Sequence, residues 1–237
     1  MRTDYAQIFQ DSAAVQRYEQ VVYAPDTYSS AVSARQRTYL RDLARRGFPH
    51  RRAVQHDFGC GTGRAIRLHC IDADGPLPRP ATTDGPALVT VFRLLLNAPD
   101  EVRDRAVAFA ASVLPDPASG LLVIENHGNR GSLRHLGHGR HAGDPWFAEL
   151  SHLQVRRLLA RRGFEIVERR GFALFPPRAY RRSWLRPIAR LIDDLATRSP
   201  MLAGVCTNVV HMARRMPRRY APATAVTRFD PTPEVDR

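Results

Sequence analysis

Three glycines alternate in His56-Asp57-Phe58-Gly59-Cys60-Gly61-Thr62-Gly63-Arg64, with an aspartate two residues ahead of the first. Glycine lacks a Cβ, so such a run can turn sharply and bring its backbone N–H groups close to a ligand. Asp57 adds a carboxylate able to face a cationic group. The dinucleotide-binding fingerprint spaces its glycines G-x-G-x-x-G, and the spacing here, at 59, 61 and 63, is different. A tight structural turn is the competing reading; a strand before the loop and a helix after it would favour ligand binding. A second chemical candidate is His127, in Glu125-Asn126-His127-Gly128-Asn129 at the carboxyl end of an expected central strand. Ligands in open α/β sheets bind at those ends, and an imidazole there suits proton transfer. A loop histidine bonded to its neighbours fits the same pattern. His135, His138 and His141 follow in a Gly-rich stretch, read as solvated histidines because no cysteine or second ligand motif accompanies them.

The elements that must position these residues follow from periodicity and punctuation. Ala13–Tyr23 and Ser30–Arg46 carry apolar residues at helical steps, separated by Pro25-Asp26 and stopped by Gly47 and Pro49. Ala53–Phe58 is a short strand leading into the glycine loop. Residues 75–86 hold Gly75-Pro76, Pro78, Pro80 and Asp84-Gly85-Pro86, the composition of a loop. Ala87–Phe92 and Gly120–Ile124 are nearly continuous apolar runs, as expected of strands covered on both faces of a parallel sheet. Between them a helix opens at Asn97 or Ala98, carries Pro99, Asp100 and Glu101 in its first turn, and runs to about Val113. For Asn97 itself, capping that helix is the favoured role. Ser151 caps a further helix through Arg162, with Gly163 at its C-terminal stop. Phe164–Arg170 reads as a strand, Trp184–Thr197 as a helix and Thr207–Arg214 as a final strand. Such alternation implies a doubly wound α/β sheet with helices on both faces.

In that strand-to-helix context the glycine loop resembles motif I of the class I S-adenosylmethionine-dependent methyltransferases. The resemblance extends, less specifically, over most of residues 15–215. Ile71–Pro78 is similar to the family's third motif, whose acidic residue lies near the adenine; Asp72 matches better than Asp74. Ala87–Asn97 resembles the fourth strand and the loop beyond it, and Leu121–Asn126 the fifth strand. A helical segment with Tyr18, Tyr23 and Tyr28 is similar to the cap of many small-molecule members. The resemblance implies S-adenosyl-L-methionine as cofactor, held by Asp57, Gly59, Gly61, Gly63, Asp72 and Asp74. It further implies methyl transfer to a small-molecule acceptor lined by Arg93 and Asn97, with His127 as the base where the acceptor is a hydroxyl. Phe172, Phe175, Tyr180 and Trp184 could wall the acceptor, although core packing explains them equally well. The Asp/Asn-Pro-Pro-aromatic signature of adenine-N6 enzymes is missing, since Pro176-Pro177-Arg178 lacks both acid and aromatic.

The departure from the family lies after motif I. Only 23 residues separate Gly63 from Ala87, whereas a strand–helix–strand unit takes about 30 or more and a crossover alone about a dozen. A helical stub at Arg64–His69 and an abbreviated strand at Cys70–Asp72 are the most that fit. The expected fold is therefore a mostly parallel Rossmann-like methyltransferase sheet lacking one or two strands on the adenosine side. The second strand's usual ribose-binding carboxylate has no assigned counterpart. A compact enzyme, a non-catalytic relative acting through partner binding, and a chain that lost a segment all remain open. The domain plan is a helical cap at 1–50, the methyltransferase domain at 51–216 and a frayed tail from 217 to 237.

Composition narrows the partners. The formal charge is +13, but all 36 basic residues are arginine, with pairs such as Arg45-Arg46, Arg156-Arg157 and Arg214-Arg215 spread along the chain. This reads as the codon bias of a GC-rich genome more than as a nucleic-acid face. The expectation is therefore against nucleic acid as a partner, with a nucleic-acid-directed methyltransferase the weakest reading. No apolar run approaches the roughly 18 residues of a membrane span, and no secretory h-region follows Met1. Cys60, Cys70 and Cys206 form neither a disulfide pattern nor a zinc motif. The expectation is a cytoplasmic protein with reduced thiols and no metal, and a homodimer remains open.

Overall fold

The computed structural model describes residues 20–49, 53–58, 68–69, 85–137 and 149–217. The glycines of motif I, Cys60, Cys70, Asp72, Asp74, Tyr18, His138, His141 and the expected tail lie outside these residues, as does most of the first expected helix.

Six strands form one sheet in the order β2-β1-β3-β4-β6-β5. They are β1 (Val54–Phe58), β2 (Leu68–His69), β3 (Ala87–Val91), β4 (Gly120–Asn126), β5 (Phe164–Phe172) and β6 (Asn208–Arg215). The first four are parallel, while β6 runs antiparallel to both β4 and β5. Every residue of β3 and β4 is buried, as their unbroken apolar runs require of strands covered on both faces. At the sheet edge, β5 alternates exposed and partly buried residues until Gly171.

Two layers of helices cover the sheet. On one side, α1 (Tyr28–Gly47) lays Val32, Tyr39 and Leu43 against Leu88, Leu121, Val123 and Phe172. Opposite, α2 (Asp100–Val113) and α4 (His152–Ala160) pack Ala106, Phe109, Val155 and Leu159 onto Phe58, Val89, Leu122 and Ile124. The remaining helices are α3 (Leu133–Gly137), α5 (Pro177–Arg181) and α6 (Arg186–Arg198). The caps agree with the sequence signals. Ser151 and Gln154 make a reciprocal capping box for α4, and Gly163 adopts φ 71° just beyond it. The Thr27 hydroxyl accepts from Ser30 N at 3.1 Å and starts α1 earlier than periodicity alone suggested.

The shortened segment after motif I takes a form the sequence did not anticipate. Leu68–His69 is a two-residue strand, paired in parallel with Asp57 and Phe58, where a helical stub was expected. Cys70–Asp72, the expected strand, lies outside the described residues. Extended pairing beside β1 satisfies backbone groups of Asp57 and Phe58 that a helix could not reach. The helix after β3 also begins differently. Pro99 is the N-cap of α2 and makes no side-chain cap bond, and Asn97 instead closes a short 3-10 turn at Leu95–Asn97. Asn97 is thus not the cap that its sequence position suggested.

Candidate functional site

β1 and β3 are neighbours whose onward connections leave in opposite directions along the sheet, to β2 and to β4. This is the switch point at which open α/β sheets leave a crevice beyond the strand ends. On the α1 side, the carboxyl ends of β1, β3 and β4 and the start of β6 carry a row of polar groups. Alternation along each strand puts Asp57, Thr90 and Glu125 on that one face.

Asp57 ends the row at β1. The Thr90 hydroxyl donates to its Oδ1 at 2.8 Å, and Gln55 Nε2 donates to the Thr90 oxygen at 3.3 Å. Burial pushes the Asp57 carboxyl up to about 6, only partly opposed by the Thr90 bond. A carboxylate desolvated in this way, with a hydroxyl as its described partner, is chemically suited to an incoming cation.

Glu125 forms the centre. It is fully buried, and its Oε1 accepts from Gln36 Nε2 at 2.6 Å and from Asn208 Nδ2 at 2.8 Å. Its Oε2 accepts from the backbone N–H of Arg93 at 3.1 Å and lies 3.7 Å from Arg93 Nε. Burial alone would raise this carboxyl, but Arg93 and the two amides hold it below the ordinary glutamate range. Arg93 takes a left-handed backbone, φ 59°, which is uncommon for a non-glycine residue and aims its N–H at Glu125. Its guanidinium stands 5.7 Å from the Tyr23 ring centroid. Tyr28 completes the row, donating its hydroxyl to Asn208 Oδ1 at 2.9 Å.

His127 lies one step beyond β4. Its Nε2 faces Asn97 Nδ2 at 3.5 Å, and its buried Nδ1 has no hydrogen-bond partner among the described residues. Burial lowers the imidazole to about 4, an effect that the Glu125 charge opposes without cancelling. The ring is therefore neutral at neutral pH. Its loop is pinned from below: Asn126 Nδ2 donates to Leu150 O, and Asn129 Nδ2 to Gly204 O and Cys206 O, each at 2.8 Å. A Cβ on Gly128 would come within 2.3 Å of Leu96, so that glycine lets the loop sit close on the 3-10 turn.

The site thus brings together Asp57, Arg93, Asn97 and His127 at one end of the sheet. Sequence reasoning missed Gln36, Thr90, Glu125 and Asn208. A signal for Glu125 existed, since a carboxylate closing the apolar run Leu121–Ile124 must find partners when buried. For two of the aromatics left open between acceptor wall and core, the structure favours core packing. Phe172 and Tyr180 are core residues, the latter bonded to buried Asp193, while Trp184 is 67% exposed. His135 belongs to α3 and pairs with Glu149 instead of standing free in a loop. Cys206 is buried and unbridged, its thiol pushed up to about 12. Among the described residues no cluster of three or more His, Cys, Asp or Glu side chains could hold a metal.

The fold as a whole is similar to that of solved structures. A SAM-dependent methyltransferase from Thermotoga maritima, described as a possible histamine N-methyltransferase, aligns with 90% of this chain and 100% of its own at TM-score 0.52 and 14% identity. The chain has the class I methyltransferase fold. Magnesium protoporphyrin IX methyltransferase from Synechocystis PCC 6803, solved with bound SAH, aligns over 87% of this chain and 100% of its own at TM-score 0.47 and 13% identity. A SAM-dependent methyltransferase from Archaeoglobus fulgidus aligns over 86% and 100% at TM-score 0.46 and 15% identity. No family model and no curated protein matches the sequence.

Proposed function

We propose that this protein binds S-adenosyl-L-methionine at the carboxyl ends of β1 and β3 and transfers its methyl group to a small molecule seated near His127. The observation that carries the reading is Asp57: a partly buried carboxylate, lacking a strong cationic partner among the described residues, two positions ahead of the glycines at 59, 61 and 63. The methionine ammonium is the cation it fits. When bound, the cofactor supplies a methyl group already activated on sulfonium, so the protein's work is mainly alignment. Gly59, Gly61 and Gly63 would let the chain approach the cofactor, and Asp72 or Asp74 would reach toward its adenosine. Arg93, fixed by Glu125, would line the acceptor pocket. Asn97 Nδ2 faces His127 Nε2 as a donor, so the neutral ring carries its proton on Nδ1 and would offer that N–H to an acceptor oxygen.

Isothermal titration of the full chain with S-adenosylmethionine and S-adenosylhomocysteine is the direct test. Micromolar to submillimolar binding of both is expected; no binding of either at millimolar concentration would reduce the reading to shared fold. In that case the short β2, which among the described residues pairs with Asp57 and Phe58 of β1, would favour a partner-binding relative. The state of His127 has its own check. In an imidazole nitrogen NMR titration, its resonances should show the neutral form down to about pH 5, with a midpoint near the value of about 4 set by burial. A midpoint in the ordinary histidine range would show that burial does not hold this ring neutral.

A further inference from the structure

α6 is packed inside out. Its inward face is Ala189, Asp193 and Ala196, all fully buried, whereas its large aliphatics point away from the protein. Ile188, Leu191 and Leu195 are 48%, 61% and 55% exposed, at three- and four-residue steps that place them on one helical stripe. Trp184 extends the stripe at one end, and Met201 (92% exposed) and Leu202 extend it at the other. Burial of apolar surface would favour the reverse arrangement, so a contiguous outward stripe of this kind marks an interaction face.

The charges around the stripe say what covers it. Arg178, Arg181 and Arg182 stand exposed beside its Trp184 end and Arg198 at its other end, and none makes an ion pair among the described residues. The exposed carboxylates on α6 or set against it are already paired, Asp194 with Arg35 at 2.5 Å and Asp26 with Arg190 at 2.6 Å and Arg186 at 3.6 Å. Arg198 also borders an open groove of about 870 Å³ between α1 and α6, lined by Arg35, Arg45, Arg46 and Arg170 among others. A second copy of this chain would set these arginines against their own equivalents, which disfavours self-pairing. Apolar residues with an aromatic at one end and arginines around them are the composition of a helix that lies in a membrane interface. No described helix is long and apolar enough to cross a membrane.

We infer that the α6 face docks on the surface of an anionic lipid bilayer, with the stripe at the acyl boundary and the arginines at the headgroups. This goes beyond the methyl-transfer reading and does not depend on it. The test is flotation of the full chain with vesicles of phosphatidylcholine alone and of an equimolar phosphatidylcholine–phosphatidylglycerol mixture. Binding to the anionic vesicles should be stronger by at least about tenfold and should weaken with added salt. Leu191→Gln with Leu195→Gln should lose that binding by about tenfold or more while leaving the thermal midpoint near wild type, because both side chains face outward. Arg178→Gln with Arg181→Gln and Arg182→Gln should narrow the preference for anionic over neutral vesicles. The inference is overturned if the wild-type chain stays in solution with both vesicles, or if the Leu191/Leu195 variant floats equally well. It is also overturned if sedimentation shows a dimer that this variant dissolves, since a second copy would then be the occupant.

Discussion

Asp57→Asn is expected to raise thermal stability at neutral pH and to weaken S-adenosylmethionine binding by about a hundredfold. Both effects have one cause. The fold raises this carboxyl from 3.8 to about 6 by burial. The folded state therefore holds the proton more tightly than the unfolded chain, and stability rises as pH falls through about 6 toward 3.8. Above that window the ionised form costs the fold ~1–3 kcal/mol, at about 1.4 kcal/mol for each tenfold difference in proton affinity. Asparagine removes the charge, and its amide oxygen can still accept the Thr90 hydroxyl. Removing one partner of a buried, hydrogen-bonded charge pair costs a complex about 2–5 kcal/mol, which supports the hundredfold loss. Wild-type affinity should also fall as pH drops below about 6, while the variant's residual binding stays flat. Calorimetric unfolding and titration at several pH values check both arms; a destabilised variant, or one with unchanged cofactor affinity, would remove Asp57 from the proposed role.

Glu125→Ala should destabilise the protein by about 3–5 kcal/mol, because Arg93, Gln36 and Asn208 would lose their shared acceptor in a buried place. Glu125→Gln should fall between this variant and wild type, since its NH2 group must face at least one of those donors. The acid response supplies a second signature. A carboxyl held below the ordinary range contributes stability that is complete above that range and lost as pH falls through its lowered value. Urea unfolding should thus show wild type converging on Glu125→Gln in acid and separating from it at neutral pH. His127, at about 4, and His211, at about 3, add to acid instability with the same sign, because the fold keeps them neutral while the unfolded chain protonates them below about 6.5. A Glu125→Ala protein as stable as wild type would show that the polar cluster is not holding the strand ends together.

Most of the framework was legible because its signals are local. The unbroken apolar runs at Ala87–Val91 and Leu121–Ile124 could only be strands covered on both faces. Ser151 with Gln154, and Gly163 after them, bracket α4 through bonds made within a few residues. The glycine loop, read together with Ala53–Phe58, pointed to the fold that the likeness to the Thermotoga maritima structure then bore out. His127 and Arg93 were legible as candidates because both follow the carboxyl ends of buried strands.

What could not be read depended on partners far apart in sequence. Asn97 sits where a cap belongs, but its amide is close enough to His127 to face it, and Pro99 starts the helix alone. Leu68–His69 has no strand signal of its own; pairing with Asp57 and Phe58 makes it one. Trp184 looked like core or pocket by residue type, and only the packing of Ala189 and Ala196 beneath α6 turns its neighbours outward. The sequence by itself determined most of the strand and helix pattern, because hydrophobic periodicity and turn chemistry act over a few residues. Tertiary structure alone decided that Glu125 gathers Gln36, Arg93 and Asn208, and that α6 shows its apolar stripe to the outside. Both depend on which distant surfaces meet, and burial sets the energy of a charge or an aliphatic side chain only once they have met.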